Sequence, residues 1–318
     1  MDMALTPLRI ASKSEIATGI IRFELQRGDG GELEPFTPGA HVEVQAPNGM
    51  MRKYSLSGDP EDRTRYEIVV KREANGEGGS RSMADDASIG GDLFVSEPRN
   101  DFPLASGVSN FLFIAGGIGI TPVMSMVRQL NATGAARYKL AYLTRDREAT
   151  AFRDELAMPE FHGKVHVHHD GGDPDKMLDL WPLLEKPMGR HLYCCGPRPL
   201  MEAVRDMSGH WSSAAVHFED FGSSKPAHRP DDQPFHVTLA RSGRRLAIPV
   251  GVSILDALRA DGLNVSSSCE SGTCGTCKTA LVAGAPDHRD LVLAEHEKAS
   301  HIMICVSRAP GGELVLDI

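Results

Sequence analysis

The pattern of apolar and polar positions changes character twice along the chain. Over residues 1–105, short runs of alternating apolar and polar residues recur at residues 19–25, 41–45 and 66–71. Turn-rich segments separate these runs, as at residues 35–39 and 47–49. A period of two residues with frequent turns is typical of antiparallel barrels and sandwiches. The pattern therefore predicts an antiparallel all-β domain over residues 1–105.

Residues 106–221 alternate instead between apolar strands and helical segments. Apolar runs lie at residues 111–115, 140–143, 165–168 and 191–195, and helical stretches lie at residues 123–130, 151–156, 178–185 and 199–207. Strand–helix alternation is the mark of a parallel sheet with helices on its faces. We therefore expect a parallel-sheet α/β domain here.

The remaining chain predicts a linker and a third domain. Residues 222–234 are small, polar and proline-bearing, which is typical of a semi-rigid linker. From residue 235 onward, two alternating strands precede a helix that Ser253 begins as N-cap, with Asp256 three residues later. Further strands follow at residues 278–282, 302–306 and 313–317. This order favours an α+β domain of the β-grasp type over residues 235–318.

Four cysteines carry the clearest chemistry in the sequence. Cys269, Cys274 and Cys277 form C-x4-C-x2-C, and Cys305 follows in the apolar run. This is the spacing with which plant-type ferredoxins hold a [2Fe–2S] cluster. Glycines at residues 272 and 275 allow a tight loop, and the small residues between the cysteines leave backbone N–H groups free to point at sulfurs. The four cysteines are therefore the predicted cluster ligands.

A zinc site and disulfides are the alternatives. Zinc sites usually pair C-x2-C with a second such pair or with histidines, and no such partner motif accompanies these cysteines. Disulfides need an oxidising compartment, whereas the N-terminus lacks the basic and apolar regions of an export signal. We therefore expect reduced cysteines and a cytoplasmic protein. The histidines, including His166, His168 and His169, are interpreted as surface or structural residues.

Charge and composition narrow the range of partners. Of the 318 residues 24% are charged, and no apolar run approaches the length of a membrane span, so no membrane association is expected. The formal net charge of −9 argues against a nucleic-acid partner. Small molecules and another protein are the expected partners, and a monomer would best leave the cysteine domain free to dock.

Two stretches of the first domain favour phosphate and flavin binding. Arg52, Tyr54 and Ser55 lie along one predicted strand, and the turn Gly78-Gly79-Ser80 precedes a short helical segment starting near residue 82. Unpaired N–H groups in such a turn favour anions. Together the stretches resemble the flavin signature of the ferredoxin–NADP reductase superfamily.

A glycine-rich turn follows the first strand of the second domain. Residues 116–122 read Gly-Gly-Ile-Gly-Ile-Thr-Pro, and the spacing is not the G-x-G-x-x-G of a dinucleotide-binding dehydrogenase. Thr121 is predicted as N-cap of the next helix, with Pro122 in its first turn. The turn would present backbone N–H groups to a pyrophosphate. Cys194, near the end of a later strand, is expected in the core.

The motif set resembles the phthalate dioxygenase reductase family over essentially the whole chain. A flavin domain, a nicotinamide domain and then a C-terminal ferredoxin is the order of that family. The resemblance implies an antiparallel β-barrel flavin domain, an α/β nucleotide domain and a β-grasp plant-type ferredoxin domain. It further implies FMN and NADH as cofactors. The electrons would go through the [2Fe–2S] cluster to a Rieske non-haem iron oxygenase in aromatic hydrocarbon catabolism.

The resemblance also implies site residues by position. FMN would be bound by Arg52, Tyr54, Ser55, Val70, Lys71, Gly79, Ser80 and Thr121, with Phe221 against its ring. NADH would be bound by Gly117, Gly119, Cys195, Gly196 and Pro197. No side-chain acid or base is expected, because the cofactors carry the chemistry: hydride to the flavin, then single electrons to the cluster.

Three questions stay open at the level of sequence. Arg145, Asp146 and Arg147 combine an acid that suits a ribose hydroxyl with arginines that could meet the 2′-phosphate of NADPH. The electron acceptor could be a cytochrome P450 instead of a Rieske oxygenase. An electron-carrier or redox module that does not oxidise NADH is the third alternative, and keeping both the flavin stretch and the glycine-rich turn argues against it.

Overall fold

The computed structural model of the protein describes residues 4–221 and 229–318. It divides into two compact units, Met1–His217 and Phe218–Ile318. Of the predicted linker at residues 222–234, residues 222–228 lie outside the described residues. No helix in the described ranges is long and apolar enough to cross a membrane.

The first sheet is antiparallel and confirms the β pattern of the N-terminal residues. Its strands are β1 (Leu5–Ala17), β2 (Ile20–Arg27), β3 (His41–Gln45), β4 (Met51–Ser55), β5 (Tyr66–Lys71) and β6 (Asp92–Ser96), in the order β4-β3-β6-β1-β2-β5. A bridge between Leu56 and Ile68 joins the chain after β4 to β5, so the two outer strands meet. The alternating positions Val42 and Val44 face the buried core of this β-barrel.

A short helix, α1 (Gly79–Asp85), packs against β4 and β5. It begins at Gly79, three residues before the start that the sequence favoured, because Gly78 takes a left-handed φ of 103° and turns the chain into the helix early. The helix therefore places the Gly-Gly-Ser turn directly beside the strand that carries Arg52.

The second sheet is the predicted parallel α/β layer. Its elements are β7 (Asn110–Gly116), α2 (Ile120–Thr133), β8 (Arg137–Thr144), α3 (Arg153–Leu156), β9 (Val165–His169), α4 (Trp181–Leu184), β10 (His191–Cys195), α5 (Arg198–Met207) and β11 (Val216–Glu219). The strand order is β11-β10-β7-β8-β9, and β10, β7, β8 and β9 run parallel. The strand order reverses between β7 and β10: β8 and β9 are added on one side of β7, and β10 lies on the other side. Open α/β sheets bind ligands at the carboxyl ends of the strands at such a reversal.

The predicted N-cap of α2 is wrong. The helix begins at Ile120 with Gly119 as its N-cap, because a 3₁₀ turn at Gly117–Gly119 leads directly into it. The Thr121 hydroxyl lies inside the first turn and donates to the carbonyl of Ile118 at 3.0 Å. Backbone groups alone, without a side-chain cap, therefore form the entrance to this helix.

The third sheet belongs to the second unit and forms a β-grasp. It contains β12 (Phe235–Leu239), β13 (Arg245–Ile248), β14 (Lys278–Ala283), β15 (His301–Met303) and β16 (Glu313–Leu316), in the order β13-β12-β16-β14-β15, with helix α6 (Ile254–Ala260) between β13 and β14 in the chain. The β12–β16 pair is parallel and the other pairs are antiparallel. The Ser253 hydroxyl accepts the N–H of Asp256 at 3.0 Å, which confirms the predicted cap.

One strand is shorter than predicted. The run at residues 302–306 was expected to continue as a strand through Cys305, but β15 ends at Met303. The N–H of Ser307 donates to the Met303 carbonyl at 3.0 Å, so Cys305 lies in a turn. A thiol on this turn can face the cysteine loop instead of the sheet.

A buried cluster of ions anchors the start of the β-grasp domain. Arg289 donates to both Asp232 and Asp287, and the Arg289 and Asp232 side chains are only 5% and 4% exposed. Arg308 lies beside them, 3.7 Å from Asp232, and its guanidinium donates to the carbonyls of Gln233, Pro249 and Val252. The buried charges of Arg289 and Asp232 are therefore paired with each other at the start of this domain.

We expect Asp232→Asn to destabilise this domain strongly. Removing one partner of a buried ion pair leaves uncompensated charge and typically costs about 3–5 kcal/mol. The measurement is denaturant unfolding of the full-length protein, followed by the loss of cluster absorbance. Asp317→Asn, which breaks an exposed pair with Arg241, is the control and should cost about 1 kcal/mol or less. Equal stability of the two variants would contradict this account of the ion cluster.

Candidate functional site

The four predicted ligand cysteines converge in the second unit as two pairs. The N–H of Cys269 donates to the sulfur of Cys274 at 3.4 Å, and the thiols of Cys277 and Cys305 hydrogen-bond to each other. Cys277 and Cys305 are buried, while Cys269 and Cys274 are partly exposed. A [2Fe–2S] cluster needs two thiolates on each iron, so two neighbouring pairs suit its donor set.

Backbone donors surround the first cysteine, as the sequence predicted. The N–H groups of Ser271 and Thr273 point at the Cys269 sulfur at 3.5 Å and 3.4 Å. A hydrogen bond from the Cys274 thiol, assisted by Thr273 and Ser271, outweighs burial and lowers the pKa of Cys269. The loop thus favours the thiolate, which is the form that binds iron.

The loop glycines are required by backbone geometry. Gly272 and Gly275 have φ values of 79° and 82°, in the left-handed region where other residues are strained. A Cβ on Gly272 would also lie 2.7 Å from a methyl group of Val306. The predicted need for glycine in this loop is therefore confirmed.

No three or more His, Cys, Asp or Glu side chains in the described ranges are arranged to hold a single metal ion. A two-iron cluster is not a site of that kind, because it distributes its four ligands over two metals. The cysteine type, the paired arrangement and the N–H donors therefore fit a [2Fe–2S] cluster.

In the first unit, Arg52 lies over the start of α1. Its guanidinium donates to the carbonyl of Met51 at 2.8 Å and pairs with Glu77 at 2.7 Å. A Cβ on Gly79 would lie 2.8 Å from the Arg52 Nε, so only glycine lets this side chain pass. The predicted arginine and the predicted glycine turn therefore meet, and together they present a cation and backbone N–H groups.

Two buried hydroxyls on β4 lack partners within the described protein. The Tyr54 hydroxyl and the Ser55 Oγ make no hydrogen bond, and burial raises the pKa of Tyr54 to about 12. Buried hydroxyls are almost always hydrogen-bonded, because leaving one unpaired costs about 1–3 kcal/mol. These orphaned groups fit a polar ligand at this point, which supports the predicted flavin site.

The other predicted flavin residues lie on neighbouring elements. Val70 is buried at the end of β5, and Lys71 is exposed and pairs with Glu73 at 2.6 Å. The Ser80 hydroxyl accepts the N–H of Glu73 at 3.2 Å, so it also orders the loop before α1. The 3₁₀ turn before α2 contacts β5, which brings the region of Thr121 to the same place. Phe221, 38% exposed, belongs to the second unit, and its role stays a prediction.

The ends of β7 and β10 approach each other too closely for side chains. A Cβ on Gly119 would lie 2.2 Å from the Cys195 carbonyl oxygen, and one on Gly196 would lie 2.9 Å from the Gly116 nitrogen. Gly117 instead borders open space, with a φ of 53°. The predicted nucleotide turns thus meet at the reversal of strand order. Cys194 and Cys195 are both fully buried, and the core position of Cys194 is confirmed.

Gly116 is a site residue that sequence reasoning missed. A Cβ there would lie 2.7 Å from both Pro197 and Leu200. The signal was available, since two adjacent glycines end an apolar strand, but only one of them was assigned a role.

Arg128 was missed as well. This arginine of α2 donates to the carbonyl of Ser57 at 2.6 Å, to Glu67 of β5 at 2.8 Å and to both oxygens of Glu155 at 2.7 and 2.6 Å. Its side chain is only 18% exposed. The available signals were weak: a carboxylate within the apolar strand 66–71 and an arginine as the one charged residue of helix α2.

The residues expected to choose between NADH and NADPH lie after β8. One oxygen of Asp146 accepts the N–H of Ala149 at 2.8 Å and orders the turn. A Cβ on Gly172 would lie 3.4 Å from the Arg145 Nε, so Arg145 lies along the glycine-rich turn after β9. The coenzyme preference stays a prediction.

Comparison with known proteins extends these observations. Residues 237–310 match the 2Fe-2S iron-sulfur cluster binding domain family. The chain is 53% identical over 319 residues to the phthalate 4,5-dioxygenase oxygenase reductase subunit of Pseudomonas putida, which covers 100% of this chain and 98% of that protein.

Two solved structures resemble the fold. Phthalate dioxygenase reductase, described as a modular structure for electron transfer from pyridine nucleotides to [2Fe-2S], is 52% identical with a TM-score of 0.71, over 99% of this chain and 98% of that one. An intact type IV self-sufficient cytochrome P450 monooxygenase is 36% identical with a TM-score of 0.71, over 99% of this chain and 41% of that one.

A β-barrel, a parallel α/β sheet and a cysteine-rich β-grasp domain in one chain define a modular iron–sulfur reductase. The chain belongs to the phthalate dioxygenase reductase family.

We expect Gly119→Ala to slow NADH-driven flavin reduction by about 100-fold. The new Cβ would clash with the Cys195 carbonyl, and a displacement of about 1 Å at a reacting site can cost that much. Stopped-flow absorbance at flavin wavelengths measures the rate. Gly28→Ala, at a glycine with nothing within 4 Å, is the control and should leave the rate unchanged. A normal rate in Gly119→Ala, with the cluster still reducible by dithionite, would rule out this nucleotide site.

Proposed function

We propose that the protein passes electrons from NADH, through FMN and a [2Fe–2S] cluster, to a Rieske non-haem iron oxygenase that acts on an aromatic compound. The observation that carries the proposal is the combination, in one chain, of four paired thiols, glycine-lined strand ends and orphaned buried hydroxyls. Full-length similarity to a phthalate 4,5-dioxygenase reductase subunit supports the oxygenase as acceptor.

When bound, the cofactors supply the chemistry: NADH gives a hydride, FMN accepts two electrons and releases them singly, and the cluster carries one at a time. The protein supplies position and electrostatics. Arg52 and the start of α1 would hold the FMN phosphate, with Ser80 and Lys71 nearby, and Tyr54 and Ser55 would hydrogen-bond the flavin.

The nucleotide would lie at the carboxyl ends of β7 and β10. Gly117 and Gly119 would offer backbone N–H groups to its pyrophosphate, and the turn at residues 195–197 would hold the nicotinamide. Thr121 at the start of α2 and Phe221 would complete the flavin contacts.

Further parts of the proposal concern the state of the protein. We place it in the cytoplasm as a monomer, with NADH as the donor. All six cysteines lie in the described residues and form no disulfide, and four of them are needed as thiolates, which suits a reducing compartment.

A cytochrome P450 is the second candidate acceptor. One observation favours it: a self-sufficient P450 monooxygenase contains a region resembling this entire chain at 36% identity. Anaerobic stopped-flow mixing of the NADH-reduced protein with a phthalate-type Rieske oxygenase and, separately, with a P450 distinguishes the two. Fast reduction of the Rieske centre is the expected result, and reduction of the P450 haem alone would replace the Rieske assignment.

We expect Cys305→Ser to separate the two halves of the reaction. Without this thiolate the cluster should be lost, while NADH should still reduce the flavin, because the first unit holds the proposed residues of both of those sites except Phe221. Transfer to the Rieske oxygenase should fall to background. The matched control is Cys194→Ala, which removes a buried cysteine of the other unit and should preserve transfer. Unimpaired transfer by Cys305→Ser would exclude the cluster from the electron path.

A further inference from the structure

Glu270 stands out in the cysteine loop because of its backbone. It follows Cys269 and has a φ of 55°, one of three left-handed residues other than glycine in the described ranges. The same loop uses glycine at its two other left-handed positions, residues 272 and 275. Since glycine would take this conformation without strain, the glutamate side chain must offset the cost by its own contacts.

Those contacts come from helix α6 and from the segment before the loop. The Arg259 guanidinium donates to Glu270 Oε1 at 2.7 Å, and the Ser267 hydroxyl donates to the same oxygen at 3.0 Å. Arg259 also reaches the Ser267 Oγ at 2.5 Å, which closes a three-membered network. Arg259 and Glu270 are 42% and 28% exposed, so the pair is partly shielded from water.

The network controls how the backbone meets the first ligand cysteine. The N–H of Ser271, the residue after Glu270, points at the Cys269 sulfur, as does that of Thr273. N–H donors on the sulfurs, together with local charge, set the reduction potential of an iron–sulfur cluster. Glu270 lies between the ligand Cys269 and the donor residue Ser271, so a change at this turn would affect the cluster without touching iron.

We propose that Arg259 and Glu270 are positioning residues that hold the cysteine loop and tune the reduction potential of its cluster through a balanced pair of charges. The inference rests on the proposed function, because it assumes that the four cysteines carry a [2Fe–2S] cluster.

Removing the charge of Glu270 and removing the charge of Arg259 should shift the reduction potential of the cluster in opposite directions. Reduction adds one negative charge to the cluster, so a nearby negative charge disfavours it and a nearby positive charge favours it. Glu270→Gln keeps a hydrogen-bond acceptor but removes the negative charge, and should raise the reduction potential. Arg259→Gln removes the positive charge of the pair, and should lower it. The double variant should return towards the wild-type value. A purely structural role would not produce shifts of opposite sign.

The experiment uses the full-length protein with its cofactors. Redox titration with dithionite and mediators, followed by EPR of the reduced cluster, gives the potential without involving NADH. Iron and sulfide content are measured in parallel. Arg241→Gln is the control, because it removes an equal charge from an exposed pair with Asp317 in the same domain. Its potential should match that of the wild type.

If Arg259→Gln assembles too little cluster to titrate, Arg259→Lys is measured as well, because it keeps the positive charge. We expect Arg259→Lys to retain iron and a potential near that of the wild type. Shifts of one sign in both single variants, or shifts no larger than that of Arg241→Gln, would overturn the inference. A wild-type protein without the EPR signal would overturn the proposed function itself, whereas a normal signal with unshifted variants would overturn only this inference.

Discussion

The buried guanidinium of Arg128 is the interaction on which the first unit depends. It joins helix α2 to strand β5 through Glu67, to the chain after β4 through the Ser57 carbonyl, and to α3 through Glu155. A charge this deep is tolerated only because every side of it is paired. Helix α2 starts at the glycine turn and β5 ends at Val70 and Lys71, so one residue ties the proposed nucleotide side to the proposed flavin side.

The chemistry of the proposed reaction explains why the sites contain few charged side chains. Hydride and electron transfer need close, fixed approach and need no acid or base from the protein. The structure supplies approach through glycine: backbone meets backbone at the ends of β7 and β10, and Arg52 passes over Gly79. At the cysteine loop, glycines and N–H donors play the same part around sulfur. In all three sites, glycines allow the close approach that the proposed reaction needs.

How much of this could be predicted depends on how local each signal is. The four cysteines and the alternation of apolar residues are local patterns, and the structure confirms the fold class they predict. The predicted N-cap of α2 was wrong because Gly119 already has helical geometry at the end of a preceding 3₁₀ turn. The strand through Cys305 ended early because the thiol must face a loop distant in sequence.

The interactions that sequence could not predict join residues far apart in the chain. Arg128 and Glu67 are 61 positions apart, and Arg289 and Asp232 are 57 apart. The pattern of apolar and polar residues does not indicate such pairs, because each of these residues alone resembles an ordinary surface charge. Glu270 is a further case, because its carboxylate accepts a hydrogen bond from Arg259, 11 positions earlier in a preceding helix.

The central claim is that electrons pass from NADH through a flavin to the four-cysteine cluster within this one chain. An anaerobic titration of the purified protein with NADH, followed by visible absorbance and EPR, tests it most directly. The account predicts that flavin absorbance bleaches while a rhombic EPR signal of a reduced [2Fe–2S] cluster grows with it. An oxidised flavin after excess NADH, with a cluster that only dithionite reduces, would contradict the account and favour an electron carrier.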